Sequence, residues 1–493
     1  MACGSLGVTS VASRARMVGL AAMLASEVAI GSAVALAQGS AGPLALLAAG
    51  MPFVVLLTNF SIETAAFIIA AAQGFEGLEL STPVATVSLG KLAIVVFLLA
   101  RVVSLDEPLD LPGPVVLYAA LLTATALPQV LWGDPRAVLP AVMTALAFVT
   151  GYVLGKSSGG LSMVARGFSA LLIGIGLLYL VGLPFGLISS DTAGRSLFGF
   201  ATPIPRMRYD LILGGLMGWF APLCGVMAGA YLRRERGSHI RDLLAWGVLL
   251  ILGLLVFQTR GFVIGLCASL VFTTVDYSGG VARAGFRVAV TLLPLLALGV
   301  IFAQSVDPLS TAIRLQSDQF VIAAIRANPS ILALGLPLPS FEHALDAAIT
   351  VYSQPQGAPL HGGWLRFVLE GGLTRVLVVL SLLLTPVVVA RRRVLTQGDA
   401  SSFALSAALA VAVAVGLQLV TDSPSNNAWA LWLTIGCVWG LVLGGGGLQH
   451  WRGAGRGEHW PSKPRQVHIR ASLDPSVMIP VPNSDPPQSV SAD

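Results

Sequence analysis

Between long apolar segments the chain breaks into a polar stretch, residues 314–370, that carries Arg314, Arg326, His343, His361 and Glu370 together with Asp318, Glu342 and Asp346. Histidine exchanges a proton near neutral pH and serves as a general base. Arginine stays ionised, and its planar guanidinium matches phosphate oxygens in bidentate fashion. Residues of these two types suit a transfer in which a hydroxyl is deprotonated while an anionic leaving group is neutralised. Position narrows the base. Of the six histidines, His239 lies in a basic loop and His450, His459 and His468 lie in the C-terminal tail. His361 stands just before a new apolar segment, in LHGGWLRFVLEGGL, where a helix N-terminus would hold it. Its plainer reading is a side chain snorkelling at an interface. His343, deeper in the stretch, reads as a solvated loop residue.

Two further arginines enter by context. Arg260 separates the apolar runs GVLLILGLLVFQT and FVIGLCASLVF, a costly place for a charge unless it works or snorkels out. Arg314 is expected to open a helix, IRLQSDQFVIAAIRAN, whose apolar residues recur at helical spacing and which ends at Asn328-Pro329. Arg326 falls near the end of that helix, where a basic residue favours the helix dipole. Capping explains Arg326 at least as well as ligand binding does, so it ranks below Arg314.

The elements that hold these residues follow from composition. Of 493 residues, 55% are hydrophobic and 11% charged, and the mean hydropathy is +0.82. A soluble surface needs roughly 25% charged residues, so most of this surface must face lipid. The 54 glycines agree, because small residues let membrane helices approach closely. Short alternating segments of the β-barrel type are absent. Apolar runs near the ~20 residues a span requires fall at 17–37, 43–59, 82–100, 113–131, 137–155, 168–189, 209–230, 243–259, 261–277, 288–303, 364–390, 401–420 and 428–446, with a shorter one at 61–78. The expected fold is an all-α polytopic membrane protein of about 12–14 transmembrane helices.

Basic residues orient that bundle. Arg233, Arg234, Arg236 and Arg241, then Arg283 and Arg287, then Arg391, Arg392 and Arg393 lie in loops separated by even numbers of spans. All three loops can therefore be cytoplasmic together, with Arg101, Lys156 and Arg166 on the same side and both chain ends inside. A large loop, about 304–363, then faces outward, as do the 258–261 turn and the 421–427 loop, and this large loop is expected to contain short helices. Ala35-Leu36-Ala37 also fits a leader cleavage site, although the run before it suits a first span better. Residues 1–447 form the membrane domain. Residues 448–493, rich in Pro, Ser and Gly, read as a disordered cytoplasmic tail.

Several chemistries drop out. There is no phosphate-binding glycine loop, dinucleotide fingerprint, HExxH motif or paired-cysteine metal spacing. No metal, cofactor or nucleic-acid partner is expected. Cys224, Cys267 and Cys437 sit inside apolar runs and read as small packing residues. On the outer face a donor must carry its own activation, and lipid-linked pyrophosphate sugars do so.

Three blocks resemble one family. Leu249–Val263, LILGLLVFQTRGFVI, is similar to an apolar span ending in Ser-Arg-Gly, with Thr259 in place of the serine. Arg314–Gly335, RLQSDQFVIAAIRANPSILALG, resembles an arginine, an amphipathic helix, Asn-Pro and a glycine turn. Leu360–Leu373, LHGGWLRFVLEGGL, resembles a His-Asn, leucine-rich, Glu-x-Gly signature, with Gly362 at the usual asparagine. In this order they resemble the O-antigen ligase and O-antigen polymerase superfamily of bacterial membrane glycosyltransferases, over roughly residues 200–440. The resemblance implies a metal-independent, inverting transfer of an undecaprenyl-pyrophosphate-linked glycan to a hydroxyl of a glycan or lipid-core acceptor. It implies the outer face of the cytoplasmic (inner) membrane, with membrane lipid and chain-length regulator or flippase proteins as partners. His361 would be the base or acceptor-orienting residue. Glu370 would orient it or fix the helix start, unless it is only a structural carboxylate. Arg260 and Arg314 would neutralise the pyrophosphate, and Arg326 would assist. A transporter or flippase of a polysaccharide precursor is the competing class.

Overall fold

The computed structural model describes residues 61–73, 79–81, 86–103, 110–133, 137–157, 159–182, 184–185, 193–194, 206–207, 218–232, 240–253, 256, 260–274, 308–348, 362–397, 402–421 and 429–444. Most of these residues are helical, joined by short turns, and two short antiparallel pairs join Glu79–Ser81 with Thr86–Ser88 and Ala193–Gly194 with Arg206–Met207. Among the described residues, five helices are long and apolar enough to cross a membrane: Gly113–Leu131, Val138–Lys156, Gly160–Gly182, Gly363–Thr396 and Ser402–Val420. Shorter apolar helices, Ile62–Ala72, Ala221–Leu232, Gly261–Thr274 and Trp429–Gly444, pack among them. This is an α-helical membrane protein. The expected spans at 17–37, 43–59 and 288–303, and the tail, lie outside the described residues.

Glycine decides the tightest packing. The helices Val138–Lys156 and Trp429–Gly444 each carry a Gly-x-x-x-Gly pair, Gly151 with Gly155 and Gly436 with Gly440, and the pairs face each other. A Cβ on Gly151 would fall 2.3 Å from the Leu433 carbonyl oxygen, and one on Gly155 only 2.0 Å from that of Cys437. In return, Gly436 meets the Phe148 carbonyl and Gly440 that of Tyr152, at 2.2 Å each. The backbones are in contact, as membrane helices packed through small residues must be. Pairing in increasing order means that these two helices run parallel. Cys224 and Cys437 are buried and Cys267 partly so, all three as free thiols.

Several boundaries differ from expectation for local reasons. Within the expected span at 82–100, Thr86–Ser88 is a strand and leads into the helix Leu89–Val103, whose start is capped where Ser88 Oγ accepts from the Lys91 N–H at 3.3 Å. The 168–189 span begins instead at Gly160, because polar Ser162 and Arg166 continue the helical register. The 113–131 span is interrupted at Thr125–Ala126, between the helices Gly113–Ala124 and Leu127–Leu131. Pro128 lacks an N–H and crowds the carbonyl four residues earlier, so a continuous helix fails there. The amphipathic helix begins at Pro308 rather than at Arg314, consistent with the Asp307-Pro308 start signal in the sequence.

The polar stretch is not a loose loop. The helices Pro308–Ala327, Ile331–Leu334 and Leu338–Ala348 fold into a small core of their own. Val321, Ile331, Phe341 and Leu345 meet Val368 and Leu369, with Phe320, Ala324 and Ile325 beside them. Residues 320, 321, 324 and 325 share one helix face, so this cap docks on the first turns of Gly363–Gln397.

Candidate functional site

Two helix breaks face each other beneath the cap. Within Gly363–Gln397 the backbone leaves helical geometry at Gly371 and Gly372, the latter at φ 67°. Gly372 requires its glycine twice over: φ is left-handed, and a Cβ would lie 2.6 Å from the Leu332 and Ala333 carbonyl oxygens. Gly335, at φ 68°, is held the same way against the Leu369 carbonyl, 2.4 Å from its would-be Cβ. The second break, at Thr125–Ala126, lies alongside, since a Cβ on Gly371 would meet the Thr125 carbonyl at 3.1 Å.

A break in an apolar helix bares carbonyls that lipid cannot satisfy. Here the Gln129 amide, 5% exposed, fills that role. Its Nε2 donates to the carbonyls of Leu336 at 2.7 Å and Glu370 at 2.9 Å, with Leu369 at 3.4 Å. The Leu336 N–H donates to the Leu369 carbonyl at 2.7 Å, and Trp132 Nε1 donates to that of Leu334 at 3.3 Å. The cap and both broken helices are thus stitched through one glutamine.

Around the break sits a clamp of charge. Arg366 Nε donates to Glu370 Oε1 at 2.7 Å, and Arg375 Nη2 lies 2.8 Å from Oε2. The second contact is ionic rather than a directed hydrogen bond. Glu370 is 4% exposed and Arg366 8%. Arg375 also lays its guanidinium 5.4 Å from the Phe367 ring. Gly362, Arg366 and Glu370 recur every four residues, so they share one face of the helix over about 12 Å. Charged side chains turned inward at a helix interruption mark a place where a membrane protein handles charge.

Aromatic rings connect the clamp to a buried lysine. Phe367 packs near Trp364 and Trp432. One turn before Trp432, Trp429 carries the Lys91 ammonium 5.6 Å from its ring. Helix ends converge here as well. Trp364 Nε1 donates to the Gly416 carbonyl at 3.2 Å, while Gln418 Nε2 donates to those of Gly218 at 2.6 Å and Gly261 at 2.8 Å. Thr434 Oγ1 reaches the Trp219 carbonyl at 2.8 Å. At the far end of the bundle, Arg393 bonds the Val442 and Leu443 carbonyls, and Lys156 pairs with Asp110 at 2.9 Å.

The residues singled out from sequence distribute as follows. Arg260 opens the helix Arg260–Thr274, next to the Gly261 carbonyl that Gln418 holds, and so lies at the convergent end. Arg314 is in the second turn of Pro308–Ala327, one turn before Asp318. Asp318 Oδ1 lies 3.0 Å from where a Cβ on Gly362 would stand, which brings the turn after Arg314 to the neighbour of His361. His361 itself is outside the described residues. Arg326 is exposed in the last turn of its helix, as capping requires. His343 is exposed on the helix Leu338–Ala348 rather than in a loop. Glu370 is neither at a helix start nor on a surface: it is the last residue before the break, between two arginines.

Arg366, Arg375, Gln129 and Lys91 escape the sequence reading. The Arg366–Glu370 pair has the i,i+4 spacing of helical ion pairs, and Gly371-Gly372 marks an interruption, so that signal was present. Nothing in the sequence ties Gln129 or Lys91 to residues hundreds of positions away. Among the described residues no group of three His, Cys, Asp or Glu side chains converges as metal ligands would. Neither a family model nor a curated protein matches the chain.

Proposed function

We propose that this chain is a membrane glycosyltransferase that moves a polyprenyl-pyrophosphate-linked glycan to a glycan hydroxyl on the outer face of the cytoplasmic membrane, in surface polysaccharide polymerisation or ligation. The observation that carries the reading is the arginine clamp at the helix break. It lies in the same segment whose sequence resembles the superfamily's histidine signature, on one helix face with Gly362. Arg260 and Arg314 would hold the pyrophosphate, His361 would take the acceptor proton, and the lone pair of the acceptor oxygen would displace the pyrophosphate with inversion. Glu370 would keep Arg366 and Arg375 fixed so that the field at the site is preorganised. About fourteen spans, with the cap and the 258–261 and 421–427 segments outward, follow from the charge pattern and belong to this proposal.

The test is genetic and chemical. In a deletion strain complemented with His361→Ala or Arg314→Ala, surface glycan is resolved on gels. A polymerase loses long chains and keeps single repeats, whereas a ligase accumulates full-length chains on the carrier lipid. Normal glycan from both variants would defeat the assignment.

The paired helix breaks favour one second reading, a precursor transporter, since transporters build sites at discontinuous helices. Vesicle assays separate the two: a transporter moves labelled lipid-linked precursor across the bilayer without an acceptor, and the transferase changes it only when acceptor is present.

A further inference from the structure

We infer that Arg391 and Arg392 form a docking surface for the headgroup of an anionic phospholipid, at the end of the bundle away from the arginine clamp. The helix Gly363–Gln397 runs without a further break after Gly372. Along it Leu373, Leu377, Leu380, Leu384 and Val388 are exposed and recur every three or four residues, so they share one face. On a helix long and apolar enough to span the membrane, acyl chains cover such a face. Arg391 continues the same face, about 27 Å from Leu373 at 1.5 Å per residue, against a hydrocarbon core of ~30 Å. It therefore stands at headgroup level. Leu395, 77% exposed one turn further on, keeps Arg391 within the lipid-contacting stripe rather than in a loop beyond it.

The three consecutive arginines divide their work. Arg393 turns inward and donates to the Val442 and Leu443 carbonyls at the end of the neighbouring helix Trp429–Gly444. Lys156, brought to this end beside Gly444, is already paired with Asp110 at 2.9 Å. Arg391 and Arg392 are exposed, and among the described residues neither guanidinium makes an ion pair or a hydrogen bond. Two permanent charges thus stand at the edge of an acyl-covered face. A guanidinium matches phosphate oxygens in bidentate fashion, and basic residues at the membrane surface attract net-negative headgroups. A zwitterionic headgroup brings its own ammonium, which repels the arginines and weakens the fit. The leucine face beside them favours a lipid over a soluble phosphate, because the tails of the same molecule lie along it. None of this depends on the glycosyltransferase reading.

Full-length protein in a neutral detergent is equilibrated with equal amounts of dioleoylphosphatidylglycerol and dioleoylphosphatidylcholine, and bound lipids are counted by native mass spectrometry. Wild-type protein should prefer phosphatidylglycerol about tenfold or more, since each basic residue near the headgroups contributes roughly fivefold. Arg391→Gln combined with Arg392→Gln should cut that preference to about threefold or less, whereas Arg391→Lys with Arg392→Lys, which keeps both charges, should retain most of it. Equal binding of the two lipids by wild-type protein, or a preference untouched by the glutamine pair, overturns the surface. Displacement of the lipid by excess inorganic phosphate assigns the arginines to a free anion and overturns it too. So does a wild-type dimer that carries no phosphatidylglycerol, which would give this face to a second copy of the chain. Should the glutamine pair fail to fold, Arg391→Gln alone decides, with an expected loss of about threefold or more.

Discussion

Gln129 offers the sharpest test of how the broken helices are held. Gln129→Met keeps the length of the side chain and removes its amide. Two carbonyls, those of Leu336 and Glu370, lose donors at 2.7 and 2.9 Å, whereas that of Leu369 keeps the Leu336 N–H. A buried hydrogen bond is worth about 0.5–1.5 kcal/mol net, and a bared acceptor costs about 1–3 kcal/mol, so the pair amounts to roughly 2–4 kcal/mol. Thr123→Val is the control. Thr123 Oγ1 donates to the Ala119 carbonyl at 3.1 Å within its own helix, and its loss should stay within about 0.5 kcal/mol. Both variants are unfolded reversibly by raising the SDS fraction in mixed micelles, with tryptophan fluorescence as readout. The structure has Gln129 joining three elements, so its loss should also let the 331–336 turn exchange amide hydrogens faster. A Gln129→Met protein as stable as Thr123→Val would refute the argument that this amide holds the break.

The same geometry gives four further expectations. Gly155→Leu places side-chain atoms against the Cys437 carbonyl, already 2.0 Å from a would-be Cβ, and should abolish folded protein on size exclusion. Gly174→Ala, with nothing within 4 Å, should be neutral or gain up to about 1 kcal/mol. Gly372→Ala must adopt a left-handed φ that costs about 1–2 kcal/mol and must also push aside two carbonyls, so it should lower the melting temperature more than any exposed glycine substitution. Glu370→Gln removes the carboxylate charge between buried Arg366 and half-buried Arg375 and should cost about 3–5 kcal/mol in SDS unfolding. Pairing it with Arg375→Gln should recover part of that loss, and strict additivity of the two would mean that Glu370 does not bridge the arginines.

Composition alone determined that the chain is helical and lipid-embedded, because a surface with 11% charge has too little polarity to be solvated by water. Glycine abundance announced close helix contacts, but only the folded chain showed which glycines meet, since residues 151–155 and 436–440 are far apart in sequence. Apolar periodicity placed the Pro308–Ala327 helix within a few residues of its ends. The polar stretch at 314–370 stood out from sequence because charge is expensive among apolar spans. Its organisation did not. A continuous apolar run gives no sign that Gly371-Gly372 and Pro128 open two helices at the same level, for that coincidence lies in three dimensions. Glu370 was legible as a chemical group, yet its meaning changed once Arg366 and Arg375 were found on its two oxygens. Lys91 and Gln129 carried no signal at all. Hydropathy reports what each segment buries, and it is blind to which distant side chain satisfies a bared carbonyl or sets a charge against a ring. Sequence therefore fixed the solvent and the polar vocabulary of this protein, and tertiary packing alone decided which polar groups meet.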